Sequence, residues 1–315
     1  MNIIDKILSR KEFVTDPPVL IDIGASESLP KEWQRIAKYS ICIAFDADER
    51  EMGYIVNENS KYKKLYTYNC VVSDKKGGKN NFYLTDSPYC SSLLKPDSES
   101  LENWNFCDLF KVKRKVTLNS ITLPTVLKEL NIKRVDWFKT DSQGTDLRLF
   151  KSLGINIINK LLAADFEPGL INAYKNEDKL HNTLAYMDNL PFFVNNIKTG
   201  GSIRINEKII SNRFSKFERK ILNKILKKSP CWTEISFLNT FENIEKFSKR
   251  DFLLGWIFSL TKNQLCYALE LAIKGKRKFK DPVFFQLEEY ALKKINNKIN
   301  FFPLYFLKKL CLLHQ

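Results

Sequence analysis

From Val19 to about Asn206, short apolar runs alternate with stretches of helical spacing. The strand-like runs are VLIDIG (19–24), SICIAFD (40–46), LYTYNCVVS (65–73), NNFYLT (80–85), VDWFKTD (135–141), KLLAADFE (160–167) and PFFVNNI (191–197). Helical spacing marks KEWQRIAKY (31–39), LPTVLKELNI (123–132) and TDLRLFKSL (145–153). Strands alternating with helices predict a mostly parallel sheet covered on both faces. In such sheets ligands sit beyond the carboxyl ends of the strands, near the switch in strand order.

After residue 210 the period changes. SNRFSKFERKILNKILKKS (211–229) sets Phe214, Phe217, Ile221, Leu222, Ile225 and Leu226 at helical spacing among lysines and arginines. Pro230 ends that pattern. Two further helix-like stretches follow, the second opening at Asp281-Pro282. The expected organisation is a helical lead-in over 1–18, an α/β domain over 19–210 and a basic, all-helical region over 211–315.

Composition narrows the class. With 44% hydrophobic and 13% aromatic residues among 315, a substantial core is expected. The seven cysteines are scattered and never form a C-x-x-C pair, and His181 and His314 are the two histidines. Reduced cysteines are therefore expected, and a zinc site is not. MNIIDKILSRKEF mixes charge into its apolar positions, unlike a secretory signal. The longest apolar run, FLLGWIFSL (252–260), is far short of a membrane span. The expected location is the cytoplasm. The formal net charge is +15, and from Ser211 onward 21 Lys and Arg face 9 Asp and Glu. That excess suggests an anionic partner.

The turn after the first strand carries candidate chemistry. Asp22, Gly24 and Ala25 end an apolar strand, where small residues let backbone N–H groups approach a ligand. A dinucleotide would need G-x-G-x-x-G, but the chain reads G-A-S-E-S-L, with Glu27 facing any pyrophosphate. S-adenosylmethionine has no phosphate and a cationic amino acid end, so it fits an acidic turn better. The next strand ends in Asp46, 22 residues past Gly24. An acid at that separation takes the two ribose hydroxyls.

A third element, RVDWFKTDSQGTDLRLFKSL (134–153), is a strand ending in Lys139-x-Asp141, then Gln143-Gly144, then a helix with Asp146 in its first turn. It resembles the signature of FkbM-type methyltransferases. IDIGAS and AFDAD resemble the family's first two motifs, and VVSDKKGGKNNFYLTDSPYCSSLLKP (71–96) resembles the stretch that follows. The resemblance covers about residues 15–200. Two departures stand out. Ser26-Glu27-Ser28 replaces the usual Asn-x-Gly continuation, and Asp146 replaces a glutamate.

The resemblance implies a Rossmann-like class I methyltransferase, α/β with a mostly parallel seven-stranded sheet. It implies S-adenosylmethionine as cofactor and methylation of a hydroxyl on a sugar, glycan or natural product. Asp22, Gly24 and Ala25 would form the methionine-side turn, and Asp46 would hold the ribose. Ser73 and Asp74, at the next strand end, would contact adenine. Asp141 is the candidate general base or substrate-orienting group, with a helix N-cap as its alternative role. Lys139, two residues back on the same strand face, would tune it. Glu167 is the second candidate base and His181 a third. Asp146 fits first-turn macrodipole stabilisation equally well. No metal is required by any spacing.

Two rival readings follow from the charge: a nucleic-acid methyltransferase, and a non-catalytic basic adaptor on the same fold. Base-modifying enzymes place Asn/Asp-Pro-Pro-aromatic where this chain has F-K-T-D-S-Q, so nucleic acid is disfavoured. The interleaved helix at 211–228 fits either a peripheral membrane contact or an apolar face packed within the protein.

Overall fold

The computed structural model describes residues 2–25, 30–48, 61–75 and 77–312, with side chains through residue 302. The chain divides into two compact units: residues 13–240, and residues 1–12 with 241–315.

The first unit is built on a seven-stranded sheet. Its first strand, β1 (Val19–Ile23), is buried at every position, as expected of a strand covered on both faces. In chain order follow β2 (Ile41–Asp46), β3 (Lys64–Asn69), β4 (Val71–Val72), β5 (Lys79–Thr85), β6 (Val112–Ile121), β7 (Trp137–Thr140), β8 (Ala163–Phe166), β9 (Phe192–Ser202) and β10 (Ser229–Asn239). The sheet order is β3-β2-β1-β7-β8-β10-β9, and β4, β6 and β5 form a separate three-stranded sheet. The five strands from β3 to β8 run parallel, while β10 is antiparallel to both β8 and β9.

From β1 the chain moves outward to β2 and β3, then returns to β7 and β8 on the other side. The switch in strand order therefore lies between β1 and β7, where a cleft opens beyond the carboxyl ends. A continuous aromatic row holds this region. Phe138 meets Phe150 at 5.4 Å, Phe150 meets Phe166 at 5.1 Å, and Phe166 meets Phe237 at 5.8 Å between ring centroids. Phe150 comes from the helix Asp146–Ser152, which packs on the sheet directly after β7.

The sheet corrects the expected organisation at one place. Residues 211–315 are not all helical, because Ser229–Asn239 forms the strand β10 inside the main sheet. Cys231, Thr233, Ile235 and Phe237 are buried at alternate positions, the period of a strand. Pro230 sits at its start, where a proline is tolerated. The expected helix at 211–229 is two, Glu207–Arg213 and Lys216–Ile225, parted at Phe214-Ser215. KEWQRIAKY buries Trp33 and Ile36 as an amphipathic helix would, but the backbone makes successive turns ending in a 3-10 turn, Ala37–Tyr39.

The second unit is helical. Its helix Lys249–Thr261 is buried from Arg250 to Ser259, so FLLGWIFSL is the centre of a small core. The helices Leu265–Phe279 and Val283–Leu312 complete it, with Asp281 Oδ1 accepting the Val283 N–H at 2.9 Å at the start of the last. Among the described residues, no helix is long and apolar enough to cross a membrane.

Candidate functional site

The tip of β1 is wedged between its neighbours. The N–H groups of Gly24 and Ala25 both donate to Phe45 O at 3.0 Å, and the Asp141 N–H donates to Ile23 O at 2.9 Å. Gly24 adopts φ 75°, and a Cβ there would lie 2.2 Å from Asp141 O. Only glycine meets both conditions. Gly24 lines the cleft but, contrary to the expectation from sequence, its N–H and that of Ala25 are taken by Phe45 O rather than left for a ligand.

Gly24, Asp46, Ala47, Asp48 and Asp141 line that cleft from the strand tips, with Cys70, Val71 and Val72 giving an apolar wall. Phe82, Pro88, Tyr89 and Leu93 close it from the second sheet and the loop after β5. Asp46 is buried, and its Oδ1 accepts the Asp48 N–H at 2.8 Å.

Asp22 and Lys139 stand behind this surface. They are register partners on β1 and β7, and Lys139 Nζ donates to Asp22 Oδ1 at 2.7 Å. Lys139 is also in register with Asp165 on β8, so three strands carry acid, base, acid in a row. Burial alone would lower the Lys139 pKa, but the attraction of Asp22, then of Asp141 and Asp165, outweighs it and holds the ammonium above the usual lysine range. Lys139 is a fixed cation.

Asp141 and Glu167 sit at the carboxyl ends of β7 and β8, within hydrogen-bond reach of each other. Burial lifts the Asp141 carboxyl, and its net shift is upward although Lys139 and Gln143 oppose it. Burial, followed by the charge of Asp141, pushes Glu167 up to about 9. Two like charges at this separation cannot both ionise cheaply. Each carboxyl, once ionised, therefore raises the proton affinity of the other.

The turn after β7 fixes Asp141. Gln143 Nε2 donates to Asp141 Oδ1 at 2.6 Å, and Gln143 Oε1 accepts from Tyr174 Oη at 2.9 Å. Gln143 has φ 55°, and its carbonyl accepts Ser92 Oγ at 2.7 Å. Asp146 Oδ1 accepts the Thr140 hydroxyl at 2.7 Å and both the N–H and hydroxyl of Ser142 at 2.9 Å. Burial pushes Asp146 up to about 6, and its Oδ2 has no hydrogen-bond partner among the described residues. Thr145, not Asp141, occupies the N-cap of the following helix.

The structure thus brings Gly24, Asp46 and Asp141 to one cleft, with Glu167 beside Asp141. Asp22 and Lys139 form the ion pair behind it, and Ala25 is buried. Ser73 is buried, accepting the Lys75 N–H at 3.1 Å, and Asp74 is exposed; neither lines the cleft. His181 is exposed on the helix Leu180–Met187. Ser26, Glu27 and Ser28 lie outside the described residues. Gln143, Tyr174 and Ser92 join the site without having been singled out. Gln143-Gly144 and Ser91-Ser92 stood inside quoted motifs, whereas nothing in the sequence marked Tyr174. Among the described residues, no group of three His, Cys, Asp or Glu side chains is placed to hold a metal ion.

The residues present suit S-adenosylmethionine. Gly24 lines the cleft without a side chain, Asp46 supplies a carboxylate at the second strand end, and Val71 and Val72 supply an apolar face. No curated protein and no solved structure matches the chain. The family model of the methyltransferase FkbM domain matches residues 22–192, more than half of the sequence, from the end of β1 to the start of β9. The chain belongs to the FkbM methyltransferase family, a family of S-adenosylmethionine-dependent methyltransferases.

Proposed function

We propose that this methyltransferase acts on a hydroxyl oxygen of a sugar, glycan or natural product, with Asp141 taking the hydroxyl proton. The observation that carries the reading is the carboxyl pair Asp141–Glu167, set side by side where β7 and β8 end, with Asp141 lining the cleft. A hydroxyl is a poor nucleophile until its proton has somewhere to go, and a carboxylate of raised pKa is a stronger base than an exposed one.

Asp46 takes the ribose hydroxyls, Gly24 admits the methionine end, and Cys70, Val71 and Val72 face the adenine in place of the side chains of Ser73 and Asp74. When bound, the cofactor supplies an electrophilic methyl group on a sulfonium. Gln143 holds Asp141 in one orientation, so the acceptor oxygen meets a fixed carboxylate. Such positioning is worth ~7 kcal/mol or more of barrier, and the base a further 10²–10⁴-fold, roughly. With the cofactor bound, Asp141 would take the proton as the acceptor O–H breaks; the oxygen's electron pair would go to the methyl carbon, and the carbon–sulfur pair would leave with sulfur as a neutral thioether. Lys139 remains protonated and offsets part of the negative charge around it.

The test is incubation of the protein with cell extract and a deuterated-methyl donor, followed by mass spectrometry. A labelled methyl ether on a hydroxyl compound supports the reading. Label on nitrogen, on carbon or on nucleic acid contradicts it. Calorimetric titration with S-adenosylmethionine separates an enzyme from a basic adaptor, which would bind none.

A further inference from the structure

The helix Lys216–Ile225 belongs to the α/β unit yet contains no buried residue. Local bonds shape it. The Ser215 N–H donates to Glu218 Oε2 at 2.7 Å, and the Glu218 N–H donates to Ser215 Oγ at 3.2 Å, a complete capping box. One side rests on protein: Asn223 Oδ1 accepts from Asn105 Nδ2 at 2.8 Å, Arg219 lies 3.7 Å from Glu207, and Leu222 is half-buried.

At about 100° per residue, Phe217, Ile221 and Ile225 fall together on a different side. They are 73%, 41% and 69% exposed. The neighbouring stripe is Lys216, Lys220 and Lys224, all exposed and without an ion pair among the described residues. A helix on a globular surface ordinarily turns its apolar stripe inward. This one turns it to solvent, with a row of cations alongside.

Charge decides the occupant. Over residues 213–228 seven Lys and Arg face one Glu, within a chain of formal net charge +15. A second copy of this chain would set lysines against lysines. An anionic bilayer supplies phosphates for the lysine stripe and an acyl boundary for the apolar one. We propose that Lys216–Ile225 is a membrane-surface helix that docks the enzyme on an anionic bilayer, with Phe217, Ile221 and Ile225 entering the acyl boundary and Lys216, Lys220 and Lys224 against the headgroups. The proposal does not depend on which acceptor the enzyme methylates.

The test is co-sedimentation of the full chain with vesicles of phosphatidylcholine, alone or with roughly one-quarter phosphatidylglycerol. The chain sediments with the anionic vesicles at low salt and is released as salt rises. The triple variant Phe217→Ser, Ile221→Ser, Ile225→Ser weakens that binding by about tenfold or more, and Lys216→Gln, Lys220→Gln, Lys224→Gln removes the preference for anionic lipid. Both variants keep the melting temperature and cofactor affinity, because the changed positions are exposed. No sedimentation of the parent chain at low salt overturns the proposal, as does full binding by both variants. A parent dimer in light scattering that the serine variant turns into a monomer also overturns it, by giving the face to a second copy. If the serine variant fails to fold, Phe217→Trp reads the same contact: quenching of the added tryptophan by brominated lipid supports it, and no added quenching overturns it.

Discussion

At the ends of β1 and β7 an acid meets a lysine: Asp22 and Lys139 lie 2.7 Å apart and settle each other's charge. Two residues further along the same strand direction, beyond β7 and β8, an acid meets an acid: Asp141 and Glu167 crowd each other, and each, once ionised, raises the other's proton affinity. Both pairs are packed into one parallel sheet. The first is compensated and withdrawn behind the cleft, as a structural charge pair should be. The second is only partly compensated, by Lys139 and Gln143, and its Asp141 reaches the cleft surface, the condition for a group that exchanges protons. On the proposed reading, the difference separates residues that hold the site from residues that would do its chemistry, though all four are ionisable residues on or just beyond neighbouring strands.

The sharpest way to break this division is at the hinge between the two pairs. Gly24→Ala would place a Cβ 2.2 Å from Asp141 O at φ 75°. The expected outcome is a loss of S-adenosylmethionine affinity by about 100-fold or more with roughly 1–3 kcal/mol of stability lost, read by calorimetry and denaturation. Lys139→Met tests the compensated pair. It strands the buried Asp22 carboxylate and lowers stability by about 2–4 kcal/mol; the 30% exposure of the Lys139 side chain puts the value below that of a fully buried pair. Adding Asp22→Asn restores much of the loss, and strict additivity of the two changes would contradict the pairing.

The Asp141–Glu167 pair is read through pH. Glu167 binds its proton more tightly folded than unfolded, since its pKa rises from 4.5 to about 9. The folded state therefore holds the extra proton between those values, and this site's contribution to stability is full below pH 4.5 and lost as pH climbs toward 9. Glu167→Gln flattens that fall. An unchanged pH slope in the variant would contradict the raised proton affinity of Glu167. The smallest effect is expected from Tyr174→Phe, which removes the donor to Gln143 Oε1. It costs about 1 kcal/mol and lowers turnover severalfold while leaving cofactor affinity alone.

The sequence made the buried strands readable because burial on both faces leaves unbroken apolar runs, as in Val19–Ile23 and residues 135–141. It hid β6, whose lysine-rich VKRKV reads as polar and whose partners are the short flanking strands β4 and β5. It hid β10 behind Pro230 and a preceding helix, although Cys231, Thr233, Ile235 and Phe237 alternate inward. The strand-end acids were visible as residue types at fixed offsets. Their pairing was not: which acid meets Lys139 and which meets Glu167 depends on strand register, and register is set across 117 residues of chain for Asp22 and Lys139. Tyr174 was invisible for the same reason, reaching Gln143 across 31 residues.

The central claim is that Asp141 accepts the acceptor's proton while other groups hold the cofactor. The direct measurement is methyl transfer by Asp141→Asn, on the acceptor found by label transfer, alongside calorimetry with S-adenosylmethionine. The account predicts transfer reduced by roughly 10²–10⁴-fold with cofactor affinity within about threefold of the parent. Undiminished transfer would contradict it, and so would a parallel collapse of cofactor binding.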